Sequence, residues 1–267
     1  MIREYRQIWR FYVSKKNSND YYKVGETIEL SEEESRLATS VLRLREGELV
    51  ELADGLGWTA RCRIESVRKK NVDVIVESQS FCEKKIIKRV AIVGFPKPGA
   101  FDEVVQICVD AGIDTLIFFR GDKSTSKQEY KSEKVRKQVI ELTRISKSPW
   151  LLEVEFCEDL TAAFRRCSNV CVHQRFAYFV CDERQVHGSE QSMSTHLLNA
   201  LGKFSGISWV AVVGPEGSFS AAEYEIMQDF ENQNKLTFVE LGPRILRTPA
   251  AVSAAVWLMA GLAESGV

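Results

Sequence analysis

Residues 236–262 read LTFVELGPRILRTPAAVSAAVWLMAGL. The stretch opens as a short apolar strand, Thr237 to Leu241, breaks at Gly242-Pro243, and crosses a segment bearing Arg244 and Arg247. It then enters a helix, 250–263, that is apolar on nearly every face. A helix apolar all round is expected to be buried all round, whereas a chain end usually frays at the surface. The expectation is that other chain wraps this helix and that the loop before it takes both arginines into the same buried region.

A second segment repeats the pattern. ISWVAVV (207–213) is a strong apolar strand running into GPEGSFS (214–220), and Ser220 with Glu223 forms a capping box that opens another helix. In a parallel sheet, ligands bind outside the carboxyl ends of strands. Two Gly-Pro breaks, each at a strand end, are therefore expected to form adjacent loops of one site, or else two ordinary βα turns. Neither is GxGxxG or GxxxxGK[ST], which disfavours dinucleotide binding and nucleoside triphosphate hydrolysis.

From Val90 onward the chain alternates strands and helices, the pattern of a parallel sheet with crossover helices. Strands are expected at 90–94, 115–119, 154–156, 177–181, 207–213 and 236–241. Helices are expected at 101–111, 129–146 and 160–167 and from Ser220. The segment 183–194 reads as a polar, mobile loop. Before residue 82 the chain reads differently, as short strands near 10–13, 27–30, 48–53, 58–67 and 72–78. Asp54-Gly55 is a hairpin signal, and Ser31, with Glu34 at the capping-box position, caps a short helix with Leu37, Val41 and Leu42 on one face. Closely spaced strands suggest a small barrel. CEKKIIKR (82–89) is the joint, giving domains 1–82 and 83–267.

Composition excludes other classes. The chain has 267 residues and a formal net charge of -1, and no run reaches the ~18–20 apolar residues of a membrane span. Seven scattered cysteines without a CxxC pair fit reduced thiols in a cytoplasmic protein. Cys167 and Cys171 stand four apart with no second pair to complete a zinc site, so no metal is expected. Charge is uneven: residues 120–150 hold nine Lys/Arg against four acids, a basic patch able to hold phosphates or to form ion pairs on a solvated helix face.

VVGPEGSFSAAE and LGPRILRTPAAVSAAV resemble the two C-terminal motifs of the SPOUT-class methyltransferases. They are most similar to the bacterial family that methylates N3 of a uridine in 16S ribosomal RNA. RFYV near the start, VLRLREGELVELADGLG at 41–57 and the helix 129–146 extend the likeness along the whole chain. The resemblance implies an α/β fold: a small PUA-like β-barrel followed by a SPOUT domain with a C-terminal deep trefoil knot, about 177–267. It implies S-adenosyl-L-methionine as cofactor, a homodimer, and 16S ribosomal RNA within the assembled small subunit as partner, with no membrane and no metal.

By the same resemblance, Val213, Gly214, Pro215, Glu216 and Gly217 form one wall of the cofactor site. Leu241, Gly242, Ile245, Leu246, Arg247 and Thr248 form another, and Val180, Cys181 and Asp182 the third. Arg247 is the candidate catalytic residue, placed to stabilise the anion that develops as uridine N3 is methylated; a structural role for it is the alternative. Arg10, Arg43, Arg45, Arg61, Arg63, Lys123 and Lys127 are the candidate RNA-binding residues. The family pattern is broken at Leu37, Ala111, Ile145, Ser148 and Pro249, where the family commonly has His, an acid, Gln, Arg and Glu. These departures motivate the second reading, a non-catalytic RNA-binding or ribosome-assembly protein on the same fold. Pro249 falls in the first turn of its helix, where proline is tolerated, so the fold is expected to survive it.

Overall fold

The structure, a computed structural model, describes residues 8–14, 22–68, 71–84, 87–124, 131–171, 176–182, 208–233, 235–242 and 244–264. Lys127, Pro243, the 183–194 loop and the stretch 183–207 of the expected knot lie outside the described residues. Contacts divide the chain into two compact units: residues 1–84 with 140–151, and residues 85–139 with 152–267.

The first unit is built on a five-stranded mixed sheet in the order β1-β3-β4-β5-β2. Its strands are β1 (Trp9–Tyr12), β2 (Thr27–Glu29), β3 (Leu49–Ala53), β4 (Trp58–Val67) and β5 (Val72–Phe81). β1 runs parallel to β3, and the other pairs are antiparallel. Alternate residues of β4 and β5 turn inward, so Ala60, Cys62, Ile64, Val72, Val74 and Val76 join Phe11, Tyr22, Val50 and Leu52 in one core. The Asp-Gly turn behaves as its sequence requires: Asp54 Oδ1 accepts from the N–H groups of Leu56 (2.7 Å) and Trp58 (3.1 Å).

The short helix α1 (Glu32–Arg36) is capped by Ser31, whose hydroxyl accepts from Glu34 N–H. Glu34 does not complete the box; its carboxylate is taken by Arg144 at 2.5 Å. The helix then widens into a π turn, Leu37–Val41. The wider turn rotates the expected apolar face, because i→i+5 bonding adds a residue per turn. Val41 is consequently 66% exposed, while Leu37 and Leu42 are only half-buried and Ala38 takes the core position.

The second unit is a six-stranded, wholly parallel sheet in the order β11-β9-β10-β6-β7-β8. Its strands are β6 (Arg89–Gly94), β7 (Thr115–Phe119), β8 (Glu153–Cys157), β9 (Phe176–Cys181), β10 (Ser208–Val213) and β11 (Leu236–Val239). The central strands are apolar throughout, as burial on both faces demands; β7 and β10 are buried at every position. Helices α4 (Leu160–Val170) and α5 (Ala221–Asn232) cover one face through Ala163, Phe164, Cys167 and Met227. On the other face, α6 (Thr248–Glu264) packs against α2 (Pro98–Asp110), β6 and β10. Helix α3 (Ser132–Ser146) carries the basic run, and its later turns belong to the first unit.

Helix α6 corrects one expectation. Val252, Ala255, Val256, Met259 and Ala260 are buried, but Trp257 is 51% exposed. Ala250, Trp257 and Gly261 leave a stripe open, bordered by the half-buried Ser253, Ala254 and Leu258. The sheet and α2 contact a helix from one side only, so among the described residues this apolar helix keeps its outer stripe uncovered. Pro249 sits in the first turn, buried, and the helix runs on through it. Among the described residues no helix is long and apolar enough to cross a membrane.

Candidate functional site

In the second unit β10 inserts between β6 and β9, and β11 lies outside β9. The carboxyl ends of β9, β10 and β11 therefore come together, and the loops that leave them surround a cleft of about 250 Å³. Cys181 and Asp182 form its base. Val213, Gly214, Pro215 and Glu216 line one side, and Leu241, Gly242, Ile245, Leu246, Arg247 and Thr248 the other. Twelve expected cofactor residues thus line one cavity. Val180 and Gly217 are not among the lining residues.

Gly217 has a different neighbour. A Cβ there would stand 2.8 Å from Lys123 Cβ and 2.9 Å from its carbonyl oxygen, so this glycine lets the loop after β7 lie against the GPEG turn. Val180 is fully buried in the sheet core. Ser218, Phe219, Arg244 and Ala251, none of them among the expected site residues, also line the cleft. All four stand inside the two motifs, 212–223 and 241–256. Ala251 was legible from helical spacing, since its N–H donates to Arg247 O at 2.9 Å, one turn away.

The loops are held from behind. Ser220 N–H donates to Glu223 Oε2 at 2.7 Å, and Glu223 N–H donates to Ser220 Oγ at 3.1 Å, completing the expected capping box. Glu223 Oε1 also accepts from Asp122 N–H, and Lys123 Nζ donates to Phe219 O at 2.8 Å. Glu216 Oε1 accepts from Lys97 N–H at 2.9 Å, tying the turn to the loop between β6 and α2. At the base, Asp182 is buried; its N–H donates to Val239 O, and its Oδ2 accepts from Tyr224 Oη at 2.6 Å. Desolvation at the strand end, with Asp182 adjacent, pushes the Cys181 thiol up to about 12. Cys181 is therefore a neutral thiol at pH 7, a wall and not a nucleophile.

Arg244 and Arg247 are both exposed at the cleft and not buried. Among the described residues neither has a salt-bridge partner. A guanidinium without a partner keeps its hydration, which is why the loop turns both outward. Ile245, beside them, is 80% exposed. Among the described residues no group of His, Cys, Asp and Glu could hold a metal ion. Cys167 and Cys171 are buried one helical turn apart.

The candidate RNA-binding residues divide into two groups. Arg10 is 7% exposed, pairs with Glu51 at 2.7 Å and donates to Ser148 O at 2.7 Å, so it holds the first unit together. Arg63 pairs with Glu77 and donates to Gly47 O. Lys123 is committed to Phe219 O. Within the basic run, Arg144 pairs with Glu34 and Lys147 with Glu51. Arg43, Arg45 and Arg61 are exposed, as are Lys131 just before α3 and Lys134, Arg136 and Lys137 on it.

Comparison with known proteins agrees with this architecture. The RNA methyltransferase domain model matches residues 83–260, and the RNA methyltransferase PUA domain model matches residues 30–77. The ribosomal RNA small subunit methyltransferase E of Bacillus subtilis is 26% identical over 234 residues, 84% of this chain and 86% of its own length. The enzyme of the same name from Neisseria gonorrhoeae, solved bound to S-adenosyl methionine, superposes with a TM-score of 0.73 at 19% identity, covering 96% of this chain and 98% of its own. A predicted RNA methyltransferase of Thermotoga maritima superposes with a TM-score of 0.66 at 23% identity, covering 97% and 100%. With the methyltransferase model spanning more than half of its length and the PUA model preceding it, the chain belongs to this family of RNA methyltransferases.

Proposed function

We propose that the protein is an S-adenosyl-L-methionine-dependent methyltransferase acting on N3 of a uridine in 16S ribosomal RNA, within the assembled small subunit. The observation that carries the reading is the cleft at the ends of β9, β10 and β11, where the GPEG and LGPRILRT loops meet. The similarity to the Bacillus subtilis enzyme along most of both chains supports the target.

The residues present fit the cofactor. Phe219, Ile245, Leu246 and Ala251 offer apolar surface, while Asp182, Arg244 and Arg247 offer charge of both signs. Few convergent polar groups on an otherwise apolar wall are what a small-molecule site requires. At Gly242, φ is +107° and nothing lies within 4 Å of where a Cβ would stand, so the wall is bare backbone there and open to a ligand. When bound, S-adenosylmethionine supplies the methyl group.

The chain supplies the rest. Arg247 is exposed at the mouth of the helix that follows its loop, a position from which its guanidinium can meet an anionic oxygen or nitrogen of the base. The GPEG turn, braced by Lys97 and Lys123, and the loop before α6 keep their backbone groups fixed before the substrate arrives. Such preorganisation removes reorganisation from the reacting step. The exposed Arg43, Arg45 and Arg61 and the exposed cations of α3 are the phosphate-contacting candidates.

The protein acts in the cytoplasm as a homodimer, with the C-terminal segment knotted. The open stripe of Ala250, Trp257 and Gly261 on an otherwise apolar helix supports self-association. Two measurements test the function: cofactor titration by calorimetry, and methyl transfer to small subunits from a strain lacking the modification. No binding at millimolar S-adenosylmethionine overturns the enzyme reading and leaves the RNA-binding one. Methylation of another base, or of large subunits, keeps the class and changes the target.

A further inference from the structure

The base of the cleft holds a buried acid whose orientation comes from a residue outside every quoted wall. Asp182 is 5% exposed, lines the cleft, and accepts a 2.6 Å hydrogen bond from Tyr224 Oη. Tyr224 lies on α5, 42 residues away in sequence. Its ring is fixed by packing: it stands edge-on to Phe219 at 5.7 Å and stacks with Phe238 at 6.1 Å. Its N–H donates to Ser220 O at 3.0 Å, directly behind the capping box, so the helix start sets where the phenol points.

A buried carboxylate is costly unless it meets a donor or a positive charge. The hydroxyl is one such donor, and it turns the carboxyl at the meeting point of three strand ends. The two cations of the lining, Arg244 and Arg247, are both exposed, on the loop that leaves β11. The negative charge at the base is therefore deep, and the positive charges of the lining are peripheral.

The geometry points to Asp182 as the group that recognises a positive charge on the methyl donor, with Tyr224 as its positioning residue. This rests on the reading of the cleft as a methyl-donor site. The recognised charge is the sulfonium or the α-ammonium group, both cationic at neutral pH. If it is the sulfonium, the attraction disappears when the methyl leaves and the sulfur becomes a neutral thioether, so the site distinguishes donor from product by charge. A ribose hydroxyl is the competing partner of a carboxylate at a strand end.

Calorimetry with three ligands separates these. S-adenosylmethionine carries both charges, S-adenosylhomocysteine only the ammonium, and 5′-methylthioadenosine neither, though it keeps the ribose and adenine. Asp182→Asn is expected to weaken S-adenosylmethionine by about tenfold or more, the scale of a lost charge-assisted contact. Tyr224→Phe, which removes only the hydroxyl, is expected to weaken it by about three- to tenfold. Both variants should bind 5′-methylthioadenosine as the unaltered protein does, which also shows that they are folded. A loss confined to S-adenosylmethionine assigns the sulfonium; an equal loss for S-adenosylhomocysteine assigns the ammonium. An equal loss for 5′-methylthioadenosine, or no loss for any ligand, overturns the assignment while leaving the cleft as the cofactor site. Failure of the unaltered protein to bind any of the three overturns the underlying function as well.

Discussion

A Cβ on Gly94 would stand 2.4 Å from both the nitrogen and Cδ of Pro215. The last residue of β6 thus touches the first turn of the cleft wall, and only a residue without a side chain permits it. The contact is between parts of the protein, so the glycine serves the shape of the site without facing the ligand. Gly94→Ala is expected to destabilise the fold by about 1–3 kcal/mol, the cost of overpacking. Urea unfolding followed by tryptophan fluorescence measures it, and cofactor affinity should fall in parallel because the displaced atoms belong to Pro215.

Gly242 presents the opposite case. Nothing crowds it, but φ is +107°, a conformation that a residue with a side chain adopts only under strain. Gly242→Ala should cost on the order of 1–3 kcal/mol and place a methyl group on the cleft wall. Thermal unfolding reads the first effect and cofactor calorimetry the second; a larger loss of affinity than of stability is expected.

Arg247 is exposed and has no salt bridge among the described residues. Arg247→Ala should therefore move stability by no more than about 0.5 kcal/mol while reducing turnover by roughly 100-fold, the scale of a lost electrostatic stabiliser. Single-turnover methyl transfer, set beside a melting curve, checks this. Loss of folding would make the residue structural.

Glu51 gives the first unit an acid-dependent contribution. Burial pushes its carboxyl up, but the Arg10 hydrogen bond and the charges of Arg10 and Lys147 outweigh it, and the group ends below its ordinary value. A lowered pKa in the folded state means that its stabilisation is complete above the ordinary glutamate value and is lost as pH falls through the folded one. Unfolding of the protein across that acid range should steepen with falling pH, and Glu51→Gln should flatten the dependence while lowering stability at pH 7. Glu34 works in the other direction: burial raises it despite Arg144. Its contribution is greatest below the ordinary glutamate value and declines as pH rises through the folded one.

Trp257 is half-exposed on a helix whose other residues are largely apolar. Trp257→Glu should shift the protein toward monomer in sedimentation velocity, with the melting temperature of the monomer little changed, since the indole is already open to solvent. Unchanged mass would remove this stripe from the interface.

Much of this protein was legible in its residues because the signals are local. Alternating strands and helices after residue 89, the capping box at Ser220 and Glu223, and the Asp54-Gly55 turn each follow from chemistry within a few residues. Each stands where expected. The two Gly-Pro motifs, with the resemblance they carry, brought together twelve lining residues of one cleft.

What the residues could not disclose depended on distant partners. Which arginines are free was decided by Glu51, Glu77 and the Ser148 carbonyl, 14 to 138 residues from the side chains they hold. That Gly217 packs on Lys123, that α6 keeps Trp257 in solvent, and that Tyr224 turns Asp182 all required the sheet order that puts β9 between β10 and β11. Sequence set the elements and the loops that carry the chemistry, because propensity, capping and turn formation are short-range. Only tertiary structure decided the direction of each charge, because a buried ion is placed by whatever group comes to meet it.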